Sequence, residues 1–321
     1  MAIRERKLGA ATRDAYGDAL AELGAKDARV VVLDADLSKS TKTNGFAKKF
    51  PDRFLNIGIA EANMVGMAAG LATTGLVPFA SSFASFLMCK TFDQLRMGVA
   101  NPKANAKFVG SHGGISLGED GASQMSVEDI ALAVALPHFV VLVPSDGVAT
   151  RALTFAIAAH EGPVFMRTGR PKAPVIYGEG DAFPIGGSKL LQSGTDATIV
   201  ANGLLVFEAL AAADLAKDAG YSVGVLDCYS VKPLDEQAVK LAAETSGALL
   251  VAEEHLTTGG LGAMVAQAAG RHCPVPIDFV GLNDVYGESG TPEALMVHFG
   301  FTPENLFEKV KALIERKRAR A

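Results

Sequence analysis

Three stretches of the chain gather side chains that could do chemistry. In the first, IAEANMVGMAAGLA (residues 59–72), Glu61 stands where a short apolar run gives way to a helix of small residues. A carboxylate at a helix N-terminus is favourable in itself. Buried beside a ligand, it gains a second use. Apolar surroundings raise a carboxyl pKa, so the group can keep its proton at neutral pH and donate a hydrogen bond. In the second stretch, SSFASFLMCKTFDQLRM (81–97), Phe83 and Phe86 are three residues apart and share one helix face. Such a pair is ordinary core in most proteins, and it can equally wall a slot for a flat heterocycle. The third stretch, SHGGISLGEDGASQMSVED (111–129), sets His112, Glu119, Asp120 and Gln124 among glycines and serines. A long polar loop inside a compact domain is usually functional or mobile, although exposed turn chemistry would also account for it. Farther on, Arg167 and Arg170 in VFMRTGRP carry planar forks suited to a phosphate or a carboxylate.

A scaffold must bring these side chains to one place. Apolar runs at 29–36, 54–59, 76–81, 107–111, 139–144 and 164–168 read as buried strands, and amphipathic stretches at 12–24, 60–74, 86–100, 126–136 and 147–160 read as helices. Regular alternation implies parallel pairing with helices on both faces. Each chemical stretch follows a strand, and open parallel sheets bind ligands beyond the carboxyl ends of their strands. Residues 169–187 (GRPKAPVIYGEGDAFPIGG) show no periodicity and read as a linker. Strands at 197–201, 222–227, 248–253 and 277–281 then alternate with helices near 206–219, 235–245, 260–271 and 303–317. The expected fold is α/β: two three-layer α/β/α domains with mainly parallel sheets, over residues 1–170 and 189–321, joined by a linker at 171–188.

Composition narrows the function classes. The 321 residues are 49% apolar and 20% charged, enough for a core in each half. A net charge of −5 argues against general affinity for nucleic-acid phosphates. No apolar run approaches the roughly 18 residues of a membrane span. The opening MAIRERKLGAATRDAYGDAL places charges where a secretory signal needs an apolar stretch. Cys89, Cys228 and Cys273 lie far apart, as expected of a cytoplasmic protein, and give no metal signature. The basic end, ERKRARA (315–321), reads as a solvated helix terminus. Gly259–Gly262 could receive an anion at a helix start, and close packing explains these glycines as well. His138, His160, His255, His272 and His298 read as surface or capping residues.

Taken together, the motifs stop being independent. IAEANM, FASF, FDQLRM, GSHGGISLGEDGASQ, PSDG and RTGRP, in this order, resemble the pyrimidine-binding domain of transketolases. DCYSVKPLD (227–235) and VAEEHLTTGGLG (251–262) resemble that family's C-terminal domain. The resemblance spans about Val30 to Phe307 and implies thiamine diphosphate as cofactor. It implies that Glu61 hydrogen-bonds a ring nitrogen of the aminopyrimidine, steering its tautomer so that the cofactor's own nitrogen can take the thiazolium proton. Phe83 and Phe86 match the aromatic wall of that pocket. Asp120 and Gln124 match positions that recognise substrate hydroxyls or assist proton transfer. Ser40, His112 and Arg170 match the grip on a sugar phosphate. Glu61, His112 and Gln124 are thereby the implied catalytic residues. The implied reaction is ping-pong transfer of a two-carbon ketol unit from a ketose phosphate to an aldose acceptor.

One departure carries equal weight. The family's Mg²⁺ motif, Gly-Asp-Gly followed by an Asn, does not occur; the nearest string is Gly178-Glu179-Gly180-Asp181. The expectation is therefore the C-terminal subunit of a split transketolase. A separate N-terminal subunit would hold Mg²⁺ and the diphosphate, and two copies of each would form a heterotetramer. The rival readings are a beta subunit of a 2-oxo-acid dehydrogenase decarboxylase and a non-catalytic regulatory subunit that keeps the fold. His112, the GEDGASQ loop and Arg170 look like sugar-phosphate equipment and favour the first reading.

Overall fold

The computed structural model describes residues 4–319; Arg320 and Ala321 of the basic end lie outside the described residues, as do residues 1–3 of the opening segment. Buried apolar runs form the expected strands. A seven-stranded sheet has the spatial order Ser230–Lys232, Val140–Leu142, Val164–Arg167, Lys107–Ser111, Val77–Phe83, Val30–Asp34 and Phe54–Asn56. Its six N-terminal strands are parallel. Thr12–Lys26 and Gly147–Ala159 are among the helices that flank it, and Glu61–Ala72 packs on it close to Val77–Phe83. The interior strands read as mainly apolar runs because helices bury them on both faces.

The second sheet has five strands, in the order Ile277–Leu282, Leu249–Leu256, Ala197–Ala201, Val223–Asp227 and Lys189–Gln192; the last is antiparallel to its neighbour. The structure thus has two sheets that are mainly parallel and covered by helices, in an α/β fold.

Three features depart from the sequence expectations. Ser230–Lys232 belongs by sequence to the second half, yet it pairs antiparallel with Val140–Leu142 and completes the first sheet. Lys232 reaches on from there, its Nζ donating to the carbonyls of Val134 (2.8 Å) and Leu136 (2.6 Å) at the end of helix Asp129–Ala135. The segment expected to be a linker is packed: Lys172–Pro174 pairs with Leu8–Ala11, and Tyr177 is buried and donates to Asp227 Oδ2 at 2.6 Å. The single helix expected over 86–100 is broken into Ala84–Met88, Phe92–Gln94 and a π-helical turn at Leu95–Ala100.

Two expectations about the second half change. His255 is fully buried: its Nε2 accepts from Ala131 N at 3.2 Å, which leaves Nδ1 to donate to Leu256 O at 2.8 Å. It is a buried capping residue, satisfying a first-turn amide of helix Asp129–Ala135 from the second domain, and the surface alternative falls. At the Gly260–His272 helix, the amides of Leu261 (2.9 Å) and Gly262 (2.8 Å) are taken by the buried carboxyl of Glu253. The anion at that helix start is the chain's own.

Candidate active site

The side chains singled out above converge at the carboxyl edge of the seven-stranded sheet, as its parallel order requires. Phe83 ends strand Val77–Phe83, Ser111 ends Lys107–Ser111, and Glu61 opens the helix that follows Phe54–Asn56. Two clusters form there, and one stacking contact joins them.

Glu61, Phe83 and Phe86 make the first. Phe83 and Phe86 stack with centroids 5.5 Å apart and planes 18° from parallel. Glu61 is 2% exposed. Its surroundings are not purely apolar, as burial alone would suggest. Lys90 Nζ stands 2.8 Å from Oε2, and the Ser82 hydroxyl donates to Oε1 at a long 3.4 Å. The same ammonium lies 5.1 Å from the Phe86 ring centroid. Lys90 therefore sits in the corner between carboxyl and ring. Being half exposed, it can withdraw toward solvent when a ligand enters.

Arg13, Ser40, Lys42, His112 and Arg170 make the second. Asp34 is buried, and it organises the turn carrying Ser40 by accepting from Leu37 N (2.6 Å), Thr41 Oγ1 (2.7 Å) and Thr43 Oγ1 (2.9 Å). His112 is buried and has φ +61°, a left-handed backbone that few non-glycine residues adopt. Arg13 Nη1 lies 3.1 Å from His112 Nε2 and can only donate, so Nε2 accepts. The proton then sits on Nδ1 and is donated to Ser111 Oγ at 2.7 Å. The imidazole also stacks on Phe83, centroid to centroid 3.9 Å, which links the two clusters.

Burial, followed by the nearby cations Arg13, Arg170 and Lys42, pushes the His112 pKa down to about 3. The unfolded imidazole takes up its proton near 6.5, so between these values the unfolded chain holds the extra proton. Acidification from pH 7 toward 4 is expected to cost stability, with this residue contributing up to about 1.4 kcal/mol per pH unit. His112→Asn should flatten that slope by up to one proton in urea melts at stepped pH. An unchanged slope would place the titration elsewhere.

Arg13 belongs to none of the three candidate stretches of the sequence. It also donates to Ser40 O at 3.2 Å, and its Nε is buried without a partner among the described residues. Its signal was there: a cation in the first turn of helix Thr12–Lys26 opposes the helix dipole, which calls for another reason to be present. Arg170 Nη1 donates to Leu117 O (2.6 Å) and to Glu119 (2.9 Å), holding the polar loop. Asp120 is exposed on that loop, and Gln124 is half-buried with its side-chain oxygen taken by Ser123. Among the described residues, neither is bonded to His112 or Glu61.

Chemically, the rim offers a carboxyl behind a flat aromatic wall and, beside it, a neutral imidazole among three cations. The first suits a heterocycle with a ring nitrogen, and the second suits a multiply charged oxyanion.

Comparisons with known proteins match the chain along nearly its whole length. Residues 9–175 match the family model of the transketolase pyrimidine binding domain, and residues 186–306 match that of the transketolase C-terminal domain. The chain is 43% identical over 301 residues to a putative transketolase C-terminal section of Methanocaldococcus jannaschii, covering 93% of this chain and 94% of that one. It is 41% identical over 308 residues to the 6-deoxy-6-sulfo-D-fructose transketolase subunit SqwH of a Clostridium species, covering 96% of each. It is 40% identical to human transketolase over 310 residues, covering 95% of this chain and 49% of that protein. A solved structure described as a split gene transketolase, inactive beta4 tetramer, superposes with a TM-score of 0.90 at 44% identity, covering 96% of this chain and all of that one.

Proposed function

This chain belongs to the transketolase family, and from that premise we propose that it is the C-terminal subunit of a split transketolase, active with a separate N-terminal subunit. The observation that carries the reading is the joint placement of buried Glu61, the Phe83–Phe86 wall and the Arg13–His112–Arg170 cluster on one sheet edge.

The pyrimidine half of thiamine diphosphate fits these residues: a buried carboxyl at the end of an aromatic slot is the donor set that a flat ring with an edge nitrogen needs. For Mg²⁺ the residues do not fit. Among the described residues, no group of three or more His, Cys, Asp or Glu side chains is gathered as a metal ion would require. We assign the metal and the diphosphate to the partner subunit, in a heterotetramer with two copies of each chain.

Bound thiamine diphosphate would supply the carbon nucleophile that carries the two-carbon unit. The protein's part is to place and polarise. Glu61 would hold a proton at the ring nitrogen, with Lys90 swung outward. Phe83 and Phe86 would fix the ring plane and exclude water. Arg13, Ser40 and Arg170 would bind the oxyanion at the far end of the sugar, leaving its carbonyl end toward the aromatic wall. His112 is locked as the Nδ1–H tautomer while Arg13 occupies Nε2. When Arg13 turns to the substrate, Nε2 becomes free to accept from a sugar hydroxyl; with the Ser111 hydroxyl turned to donate to Nδ1, the proton would sit on Nε2 and could be donated to an oxyanion. Asp120 and Gln124 would close over the hydroxyls from the loop.

The experiment is reconstitution. This chain and an N-terminal transketolase subunit, with thiamine diphosphate and Mg²⁺, should transfer ketol units between sugar phosphates, and this chain alone should not. Full transfer by this chain alone would defeat the split-subunit reading. Oxidative decarboxylation of a 2-oxo acid in place of ketol transfer would defeat the transketolase assignment.

A further inference from the structure

The loop that carries Asp120 and Gln124 does not stand on the first domain alone. It is a closed neck: Gly114 N donates to Ser126 O at 2.7 Å, bringing the two ends together just after His112. Two charged side chains hold that neck from beneath. Arg167, buried at the end of its strand, uses one nitrogen for two carbonyls, Ser126 O at 3.0 Å and Glu254 O at 2.9 Å. Its Nε lies 3.4 Å from Asp129 Oδ2, in the helix that follows the loop. Glu254 belongs to strand Leu249–Leu256 of the second sheet, and its Oε1 accepts from Ser116 N at 2.6 Å. Leu256 N donates to Val127 O at 2.8 Å and extends the seam.

The two glycines of the neck fit this arrangement closely. A Cβ at Gly113 would overlap the Arg167 side chain, and one at Gly114 (φ +83°) would overlap the Glu254 carboxyl. The backbone approaches both charges as closely as atoms allow. Neither Arg167 nor Glu254 is among the residues assigned above to the cofactor or the sugar.

We propose that Glu254, seated on Arg167, is a positioning residue for the substrate loop: through Ser116 N and Ser126 O the second domain sets the register of His112, Asp120 and Gln124 relative to the sugar. The proposal rests on the transketolase reading for its substrate and on geometry for its mechanism. A loop fixed at both ends presents its hydroxyl-binding residues without ordering them at each turnover. The second domain, which contributes no residue to the cofactor pocket described here, acquires a definite role.

The test uses Glu254→Ala and Glu254→Gln in the full chain assembled with an N-terminal subunit. Losing the buried hydrogen bond that satisfies Ser116 N should raise KM for the sugar phosphates about tenfold and lower kcat with it. The dissociation constant of thiamine diphosphate should stay within about twofold, because Glu254 acts on the loop and not on the pocket. Glu254→Gln keeps an acceptor oxygen for Ser116 N and should recover most of the loss. In this chain alone, hydrogen exchange at residues 115–126 should quicken in Glu254→Ala while strand Val30–Asp34 stays protected. Wild-type sugar KM and wild-type exchange in Glu254→Ala would overturn the proposal. A parallel loss of cofactor affinity and of protection across the whole domain would also overturn it, by showing a purely structural role. If the wild-type assembly itself fails to transfer ketol units, the transketolase reading falls, and the exchange measurement still decides the clamp.

Discussion

Glu61→Ala in the assembled enzyme is expected to lose turnover by about a thousandfold at saturating cofactor, the scale of a positioned acid–base group. The helix start places the carboxyl 2% exposed beside the aromatic slot, and Ser82 offers only a 3.4 Å contact as the other hydrogen-bond partner near it. Alanine therefore leaves nothing else to hold a proton at the ring nitrogen. It also leaves the Lys90 ammonium beside an empty corner, from which it can move to solvent, so the fold should survive with a melting temperature close to wild type. Glu61→Gln sharpens the test. The amide fits the space and can hydrogen-bond, but it cannot exchange a proton. Its kcat should fall nearly as far as in Glu61→Ala while cofactor affinity falls less. Turnover near wild type in either variant would remove the foundation of the functional reading.

The second large effect concerns the cationic cluster. Arg13→Ala with Arg170→Ala should raise KM for a phosphorylated acceptor by roughly a hundredfold or more, since each charge-assisted hydrogen bond is worth about 1.5–3 kcal/mol. With an unphosphorylated donor ketose in both assays, so that the donor half-reaction makes no use of the grip, an unphosphorylated aldose should be used about as well as by wild type. That contrast separates a binding defect from general damage. Removing Arg13 also frees His112 Nε2, so the single variant alters the imidazole's hydrogen bonding as well as the charge around it. Equal losses on both acceptors would show that the cluster supports the fold and does not bind the anion.

The core of both sheets was legible because buried parallel strands are apolar along most of their length, as in runs such as Val30–Asp34 and Ala197–Ala201. The short strands Leu8–Ala11, Lys172–Pro174, Lys189–Gln192 and Ser230–Lys232 were not legible. Each has only three or four residues, pairs antiparallel with one neighbour, and takes its register from tertiary contact. The π turn at Leu95–Ala100 inserts a residue into an apolar pattern that still looks helical, so periodicity alone could not show it. Within the site, Glu61, the phenylalanine pair and His112 announced themselves by type and place. Arg13 showed only as a cation opposed to a helix dipole, and Lys90 not at all, because their partners lie 99 and 29 residues away in sequence and only the sheet brings them together.

The borrowed strand has a consequence for any attempt to separate the halves. A fragment ending at residue 188 would lack Ser230–Lys232, and Val140–Leu142 would become a bare margin with unsatisfied amides and carbonyls beside buried apolar side chains. Such margins recruit other polypeptides, so this fragment should precipitate or run as heterogeneous aggregates on gel filtration where the full chain elutes as one defined species. The first sheet is complete only when Ser230–Lys232 is in place, so a nascent chain should gain protection along Val140–Leu142 only after Lys232 has left the ribosome.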